Sequence, residues 1–234
     1  MEAVLKYFAP GDCYEVVFVN FNFFDARCFS IVLSRVLSFQ IILGAVMVKV
    51  PQIIKMIRAG SAEGLSMLAV ILELAALTFT GAYNFAKQFP FSTYGETAFL
   101  GIQTFIIWML VFHYNSQTVI GGVVAAVYSI VLYVFLSGLL PIEVLTFLQS
   151  TTIPILTTSR MSQIINTFRL GSTGQLSFIT YLLLWGGAIA RVFTTIQETS
   201  DPLMLIQYCS TVILNSIIVI QFIIYWSADK KKEA

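Results

Sequence analysis

Four ionisable side chains interrupt otherwise apolar stretches of the chain: Lys49, Glu73, Arg160 and Arg191. A charge at the centre of a membrane helix costs about 2.5–3.5 kcal/mol on insertion scales, so each needs a partner, water or a ligand. Lys49 precedes Arg58 by nine residues and Glu73 follows Gly64 by nine. At about 1.5 Å per helical residue both lie about 13 Å from the loop between them, a shared depth at which they can meet. Lys49 and Arg160 are corresponding residues of an internal repeat, and two basic groups facing one cavity suit an oxyanion such as a phosphate. Arginine would supply a planar fork and lysine a point charge. The competing arrangement pairs Lys49 with Glu73 and leaves Arg160 to backbone carbonyls or to snorkelling. Gln52 and Gln163, three residues beyond each basic group, complete a candidate binding set of Lys49, Gln52, Glu73, Arg160 and Gln163.

The repeat is read directly. Lys49 to Ser66, KVPQIIKMIRAGSAEGLS, recurs 111 positions later as Arg160 to Ser177, RMSQIINTFRLGSTGQLS. Gln52 meets Gln163, Arg58 meets Arg169, Gly60 and Ser61 meet Gly171 and Ser172, and Leu65 and Ser66 meet Leu176 and Ser177. So large a fixed offset indicates a duplicated unit of three helices and not a short solenoid repeat. Pro51 loosens one copy and Pro154 the other, each removing a backbone donor, and both are candidate hinges. They do not correspond, because Pro51 falls opposite Ser162.

Of 234 residues, 58% are hydrophobic and 11% charged, too few polar side chains to cover a soluble globule. The chain reads as an integral membrane protein. A net charge of +1 gives no basic face for nucleic acid. Cysteines at 13, 28 and 209 have no metal-ligand spacing, and Cys13 and Cys28 are equally readable as a pair or as free thiols. One histidine, His113 at a helix end, and scattered carboxylates do not form a nucleophile, base and orienter, so no catalytic, metal or cofactor role is assigned.

A span needs about 20 mainly apolar residues. Seven stretches are expected to cross, at about 31–58, 65–86, 94–114, 119–138, 142–168, 176–195 and 203–226. Residues 1–30 form an aromatic surface segment, 31–115 the first three-helix repeat, 116–141 a linker span, 142–227 the second repeat and 228–234 a tail. The expected architecture is therefore all-α, two parallel three-helix repeats joined by one linker helix, 3+1+3. The fifth span, with Gln149, Ser150, Thr151, Thr152, Thr157, Thr158, Ser159, Arg160, Ser162 and Gln163, is too polar to face lipid all round and is expected to be enclosed. Asn84, Gln103, Asn215 and Gln221 are expected to hydrogen-bond between helices. Gly186 and Gly187 are expected to allow close packing, and Arg191 to pair locally with Glu198 and Asp201.

A cytosolic carboxyl terminus places Lys55, Arg58, Arg169 and Lys230 to Lys232 on one side, against Lys6, Arg27 and Lys87 on the other, which satisfies the positive-inside bias. The amino terminus is then luminal. Lys231 and Lys232, fourth and third from the end, have the spacing of a dilysine address for return to the endoplasmic reticulum. The alternative is a polybasic flank on anionic headgroups.

The recurring glutamine with its basic and Gly-Ser continuation resembles the PQ-loop family, which includes SWEET sugar transporters and lysosomal amino-acid exporters. The runs VKVPQIIKMIRAGSAEGLS, KQFPFSTYGETAFLGIQT, HYNSQTV, GSTGQLS and GGAIARVFTTIQETSDPLM are similar to the branch concerned with the use of mannose-phosphate-dolichol, over nearly the whole chain. The resemblance implies a non-enzymatic, multi-pass protein of the endoplasmic reticulum membrane. It would serve the use of dolichol-phosphate-linked mannose and glucose in N-glycan precursor and GPI-anchor assembly, with membrane lipids and luminal glycosyltransferases as partners. Two other readings stand beside it: a transporter of a free sugar or amino acid, and a receptor or chaperone for the transferases. Ser162 where the family pattern has proline removes one of two matched hinges.

Overall fold

The computed structural model describes residues 5, 8–22, 24–63, 65–173 and 178–233; side chains of 179, 180 and 226–233 lie outside that description, as do Gly64 and 174–177 of the repeat. No strand occurs among the described residues. A π-helical turn, Glu15–Val19, precedes eight α-helices: α1 Ala26–Met47, α2 Val50–Ala59, α3 Met67–Ala86, α4 Phe91–Tyr114, α5 Thr118–Leu136, α6 Ile142–Leu170, α7 Phe178–Glu198 and α8 Pro202–Glu233.

Short polar residues start these helices. Asp25 Oδ1 accepts from Cys28 N–H at α1, Ser66 Oγ from Ala69 N–H at α3, and Asp201 Oδ1 from Met204 N–H at α8. Each satisfies a backbone donor that the first turn leaves orphaned. The two copies stop their motif helices alike. Gly60 ends α2 at φ +59° and Gly171 ends α6 at φ +58°, donating to Ile57 and Phe168 carbonyls respectively. A left-handed terminus favours glycine because a Cβ would crowd the backbone there.

Five helical stretches are long and apolar enough to cross a membrane: α1 with α2, α3, α4, α5, and Pro202–Tyr225 of α8. Of the two other expected spans, α6 does not reach that composition, and α7 is not among the stretches found within the described residues. In α6 the cause is its run of hydroxyl and amide side chains around Arg160. Gln149 and Thr152 are fully buried whereas Thr158, Ser159 and Ser162 are exposed, so the expected enclosure of that polar run holds for its first part and not for its later hydroxyls.

The chain divides into two compact units, residues 39–152 and residues 1–38 with 153–234, with divisions falling inside α1 and inside α6. In the first unit, residues four apart on α3 (Val70, Leu74) meet Met56 of α2 and Ile107, Trp108, Val111 and Phe112 of α4. Helix α5 joins through Tyr128, whose ring stacks on Phe105 and whose hydroxyl bonds Thr78 Oγ1 at 2.8 Å. Gly121 lets α5 approach, since a Cβ there would stand 2.9 Å from Phe112 Cβ. Gly186 and Gly187, expected to pack closely, have nothing within 4 Å of an added Cβ; they face open space.

In the second unit Ile164, Tyr181, Leu214, Ile218 and Phe222 form the core. Gln221 Nε2 donates to Ile164 O at 2.9 Å and Trp185 Nε1 to Ser216 Oγ at 2.8 Å. At the amino-terminal end Cys13 and Cys28 form a disulfide inside a cluster with Ala9 and Val17, settling the alternative left open by the spacing. Ser34 and Ser38 of α1 both donate to Glu198 Oε1 of α7 at 3.0 Å.

Candidate functional site

The two copies place their basic residues in different surroundings. In the first unit the helix breaks at Val48 and Lys49, and Pro51 stands within the first turn of α2. A proline here has no N–H to return to the preceding turn, and its ring crowds the backbone behind it, so the break follows from the residue type. Gln103 of α4, buried to 7% exposure, covers the break: its Oε1 accepts from Lys49 N–H at 2.9 Å, and its Nε2 donates to Ala45 O at 2.8 Å and Phe99 O at 3.1 Å. Backbone groups freed inside a membrane must be satisfied by protein, and one amide serves both sides of the gap.

Lys49 Nζ pairs with Glu73, the lysine side chain 12% exposed and the carboxylate 49%. The first basic residue is therefore compensated. Gln52, two residues after the break, is exposed, as are Pro51 and Lys55.

In the second unit α6 runs unbroken through Arg160, Ser162 and Gln163, and through Pro154 as well. Position 73 of the first copy corresponds to Leu184 in the second, so the carboxylate that balances Lys49 has an apolar residue in its place. Arg160 has no carboxylate partner among the described residues. Its Nη1 donates to Gln163 Oε1 and to Tyr181 OH, each at 3.3 Å, and the guanidinium lies 5.7 Å from the Tyr181 ring centroid. Tyr181 OH in turn donates to Gln163 Oε1 at 2.7 Å. The triangle holds the guanidinium by one edge, and Nε and Nη2 take no protein partner among the described residues.

A cavity of about 200 Å³ has Arg160 on its wall. Ile153, Leu156, Thr157 and Arg160 line it from α6, and Gln207, Ser210, Thr211 and Leu214 from α8. The α8 residues recur at helical spacing and put a polar stripe on an otherwise apolar helix. Arg160 is ten residues from the end of α6, about 15 Å along a helix. A larger cavity of about 440 Å³ lies among α3, α4 and α5, lined by Leu77, Thr78, Gly81, Thr97, Phe105, Tyr128 and apolar neighbours. Its wall carries no fixed charge and suits hydrocarbon, so size does not make it the place for anion chemistry.

Of the residues singled out by pattern, the structure joins Lys49 to Glu73 and Arg160 to Gln163, one pair in each unit. Lys231 and Lys232 lie within the last turns of α8, with their side chains outside the described residues. Gln103 and Gln221 bond between helices as expected. Asn84 Nδ2 donates within its own helix to Thr80 O, and both side-chain polar atoms of the buried Asn215 have no hydrogen-bond partner among the described residues. Pattern did not point to Tyr181 or to the Gln207, Ser210, Thr211 stripe. The stripe was readable, because three polar residues on one face of a membrane helix rarely face lipid.

The chain is thus a helical membrane protein with a twofold internal repeat, and one copy sets a cation on the wall of a cavity between its helices. The PQ loop repeat model matches residues 33–93 and 144–204, so the matched stretches themselves lie 111 residues apart, from 33 to 144. The chain belongs to the PQ loop repeat family. It is similar to human (Homo sapiens) solute carrier family 66 member 3, 26% identical over 190 residues, which covers 79% of this chain and 90% of that protein. No solved structure matches.

Proposed function

We propose that the protein serves the use of dolichol-phosphate-linked mannose and glucose as luminal sugar donors for N-glycan precursors and GPI anchors, by presenting or translocating the lipid-linked sugar. The observation that carries this reading is Arg160, a guanidinium with no carboxylate partner among the described residues, on the wall of a cavity that also carries hydroxyl and amide side chains. A phosphate bridging a sugar and a polyprenyl chain is an anion that must be handled inside a bilayer, and a fixed guanidinium meets it with directed donors. The sequence runs similar to the mannose-phosphate-dolichol branch support the same substrate. On this reading α6 and α7 cross the membrane with the five apolar stretches, giving 3+1+3, and α6 turns its hydroxyl face to water. The Cys13–Cys28 disulfide supports an amino terminus on the oxidising, luminal side. Lys231 and Lys232 would then be the cytosolic retrieval signal of an endoplasmic reticulum protein.

Among the candidate binding residues this reading keeps Arg160 and Gln163 at the ligand and leaves Lys49 and Glu73 as a mutually compensated ion pair, with Gln52 exposed. Pro51 marks the hinge of one copy; Pro154, inside a continuous helix, is a weaker one. A second reading, transport of a small solute, is favoured by the likeness to a protein named as a solute carrier. Sealed microsomes from cells lacking the protein separate the two. Loss of luminal mannosylation with normal mannose-phosphate-dolichol synthesis supports the first. Intact mannosylation with defective uptake of a free sugar or amino acid overturns it in favour of the second.

A further inference from the structure

The second copy supplies one positive charge to the cavity, and the hydroxyls around it are set as acceptors. Ser210 Oγ donates its proton to Ile206 O at 2.7 Å and Thr211 Oγ1 to Gln207 O at 2.9 Å. With those protons committed to the helix, the Ser210 and Thr211 oxygens have only lone pairs to offer, beside Thr157 and Gln207 on the same wall. The wall thus presents guanidinium donors for an oxyanion on α6 and hydroxyl acceptors on α8. A ligand that fits both is a single negative charge with O–H donors close by. A second negative charge would find no cation, because the described residues place no other basic group on the cavity wall, and an unmatched charge in such a site is strongly disfavoured.

We infer that the cavity between α6 and α8 is a complete binding site for a singly charged, hydroxyl-bearing phosphodiester, a glycosyl phosphate ester, held by Arg160 alone with Ser210 and Thr211 receiving sugar hydroxyls. This deepens the reading given above and rests on its placing the ligand at Arg160. The Lys49–Glu73 pair takes no part in holding the anion. Tyr181 and Gln163 are positioning residues, which engage Nη1 and leave Nε and Nη2 for the ligand. A singly charged carboxylate offers the same charge without the hydroxyl donors, and a prenyl phosphate offers more charge and fewer donors, so chemistry separates the possible ligands.

The full chain in nanodiscs, titrated with short-chain prenyl phosphomannose, matched prenyl phosphate and matched prenyl carboxylate, tests this directly. Phosphomannose should bind more tightly than the other two. Arg160→Gln should weaken it by about 10- to 100-fold, the loss expected for charge-assisted hydrogen bonds. Arg160→Lys, which keeps the charge but not the fork, should fall between. The Lys49→Gln, Glu73→Gln double variant should bind within about twofold of the wild type, because neither residue lines the cavity. Ser210→Ala with Thr211→Val should erase the preference for phosphomannose over the carboxylate while leaving the carboxylate bound, which keeps the test sharp if Arg160→Gln does not fold. Equal binding by Arg160→Gln, an equal loss in the Lys49/Glu73 double variant, or no binding of any probe overturns the inference. Tight carboxylate binding without phosphomannose binding leaves the single-anion site standing but removes the lipid-linked sugar from it.

Discussion

The chain solves one problem twice and differently. At position 49 a basic residue in the membrane is balanced by Glu73, and the helix carrying it is broken and clamped by Gln103. At the corresponding position 160 the helix is continuous, the acid is replaced by Leu184, and the clamp by Leu214, which lines the cavity. The helix ends that follow are the same in both copies, down to the left-handed glycine. What diverged is therefore charge balance and the continuity of the motif helix, while the way that helix ends was kept. A duplicated fold can thus keep one copy as scaffold and leave the other with an unmet charge for a ligand.

The largest effect should come from the clamp. Gln103→Leu, which copies Leu214, strips partners from Lys49 N–H and Ala45 O together. Two buried unsatisfied backbone groups cost about 2–4 kcal/mol. Pro51→Ser, copying Ser162, restores a backbone donor and lets the helix close across the gap. The double variant should regain most of the loss in thermal unfolding in nanodiscs. If Pro51→Ser adds to the damage instead, the break is required for its own sake and the comparison between copies fails at its root.

Next in size is the ion pair. Glu73→Leu, copying Leu184, leaves Lys49 without its carboxylate, at about 2–3 kcal/mol, discounted for the half-exposed acid. Lys49→Met added to it should recover stability, because two apolar residues then replace a pair. The reverse exchange sharpens the contrast. Leu184→Glu gives Arg160 the acid it lacks, and binding of prenyl phosphomannose should fall by about tenfold, or 1.4 kcal/mol, with stability held or slightly raised.

Which parts of this were legible in the residues follows from distance along the chain. The repeat offset, the helix-ending glycines and the shared depth of Lys49 and Glu73 are all local or periodic properties. The α4 and α5 limits also follow their apolar runs closely. Gln103 read as a generic interhelical donor because its partner is a gap in a helix 54 residues away, and no pattern announces a gap. Gly186 and Gly187 misled because paired glycines in an apolar helix look the same whether they face a neighbour or open space. At α6 the count of spans ran ahead of composition, since a duplicated unit implies a helix there that its polar run does not advertise by hydropathy. Leu184 was readable: once Lys49 and Glu73 are paired, asking what stands 111 residues after Glu73 shows that Arg160 has lost its acid.

The smallest effect concerns the ring under Arg160, and it tests whether the second copy is preorganised or only unbalanced. Tyr181 corresponds to Val70, an aliphatic core residue of the first copy, so the hydroxyl belongs to the second copy alone. Tyr181→Phe keeps the aromatic face beneath the guanidinium and removes the bonds to Arg160 and Gln163. Stability should drop by about 1 kcal/mol, the net worth of an ordinary hydrogen bond. A freed guanidinium still carries its charge, so prenyl phosphomannose and prenyl carboxylate should lose affinity by unequal amounts. The phosphodiester, read by directed donors, should lose more than the carboxylate, which charge alone attracts. Equal losses for both probes would mean that Tyr181 merely fills the core, and the second copy would then differ from the first in charge balance but not in aim.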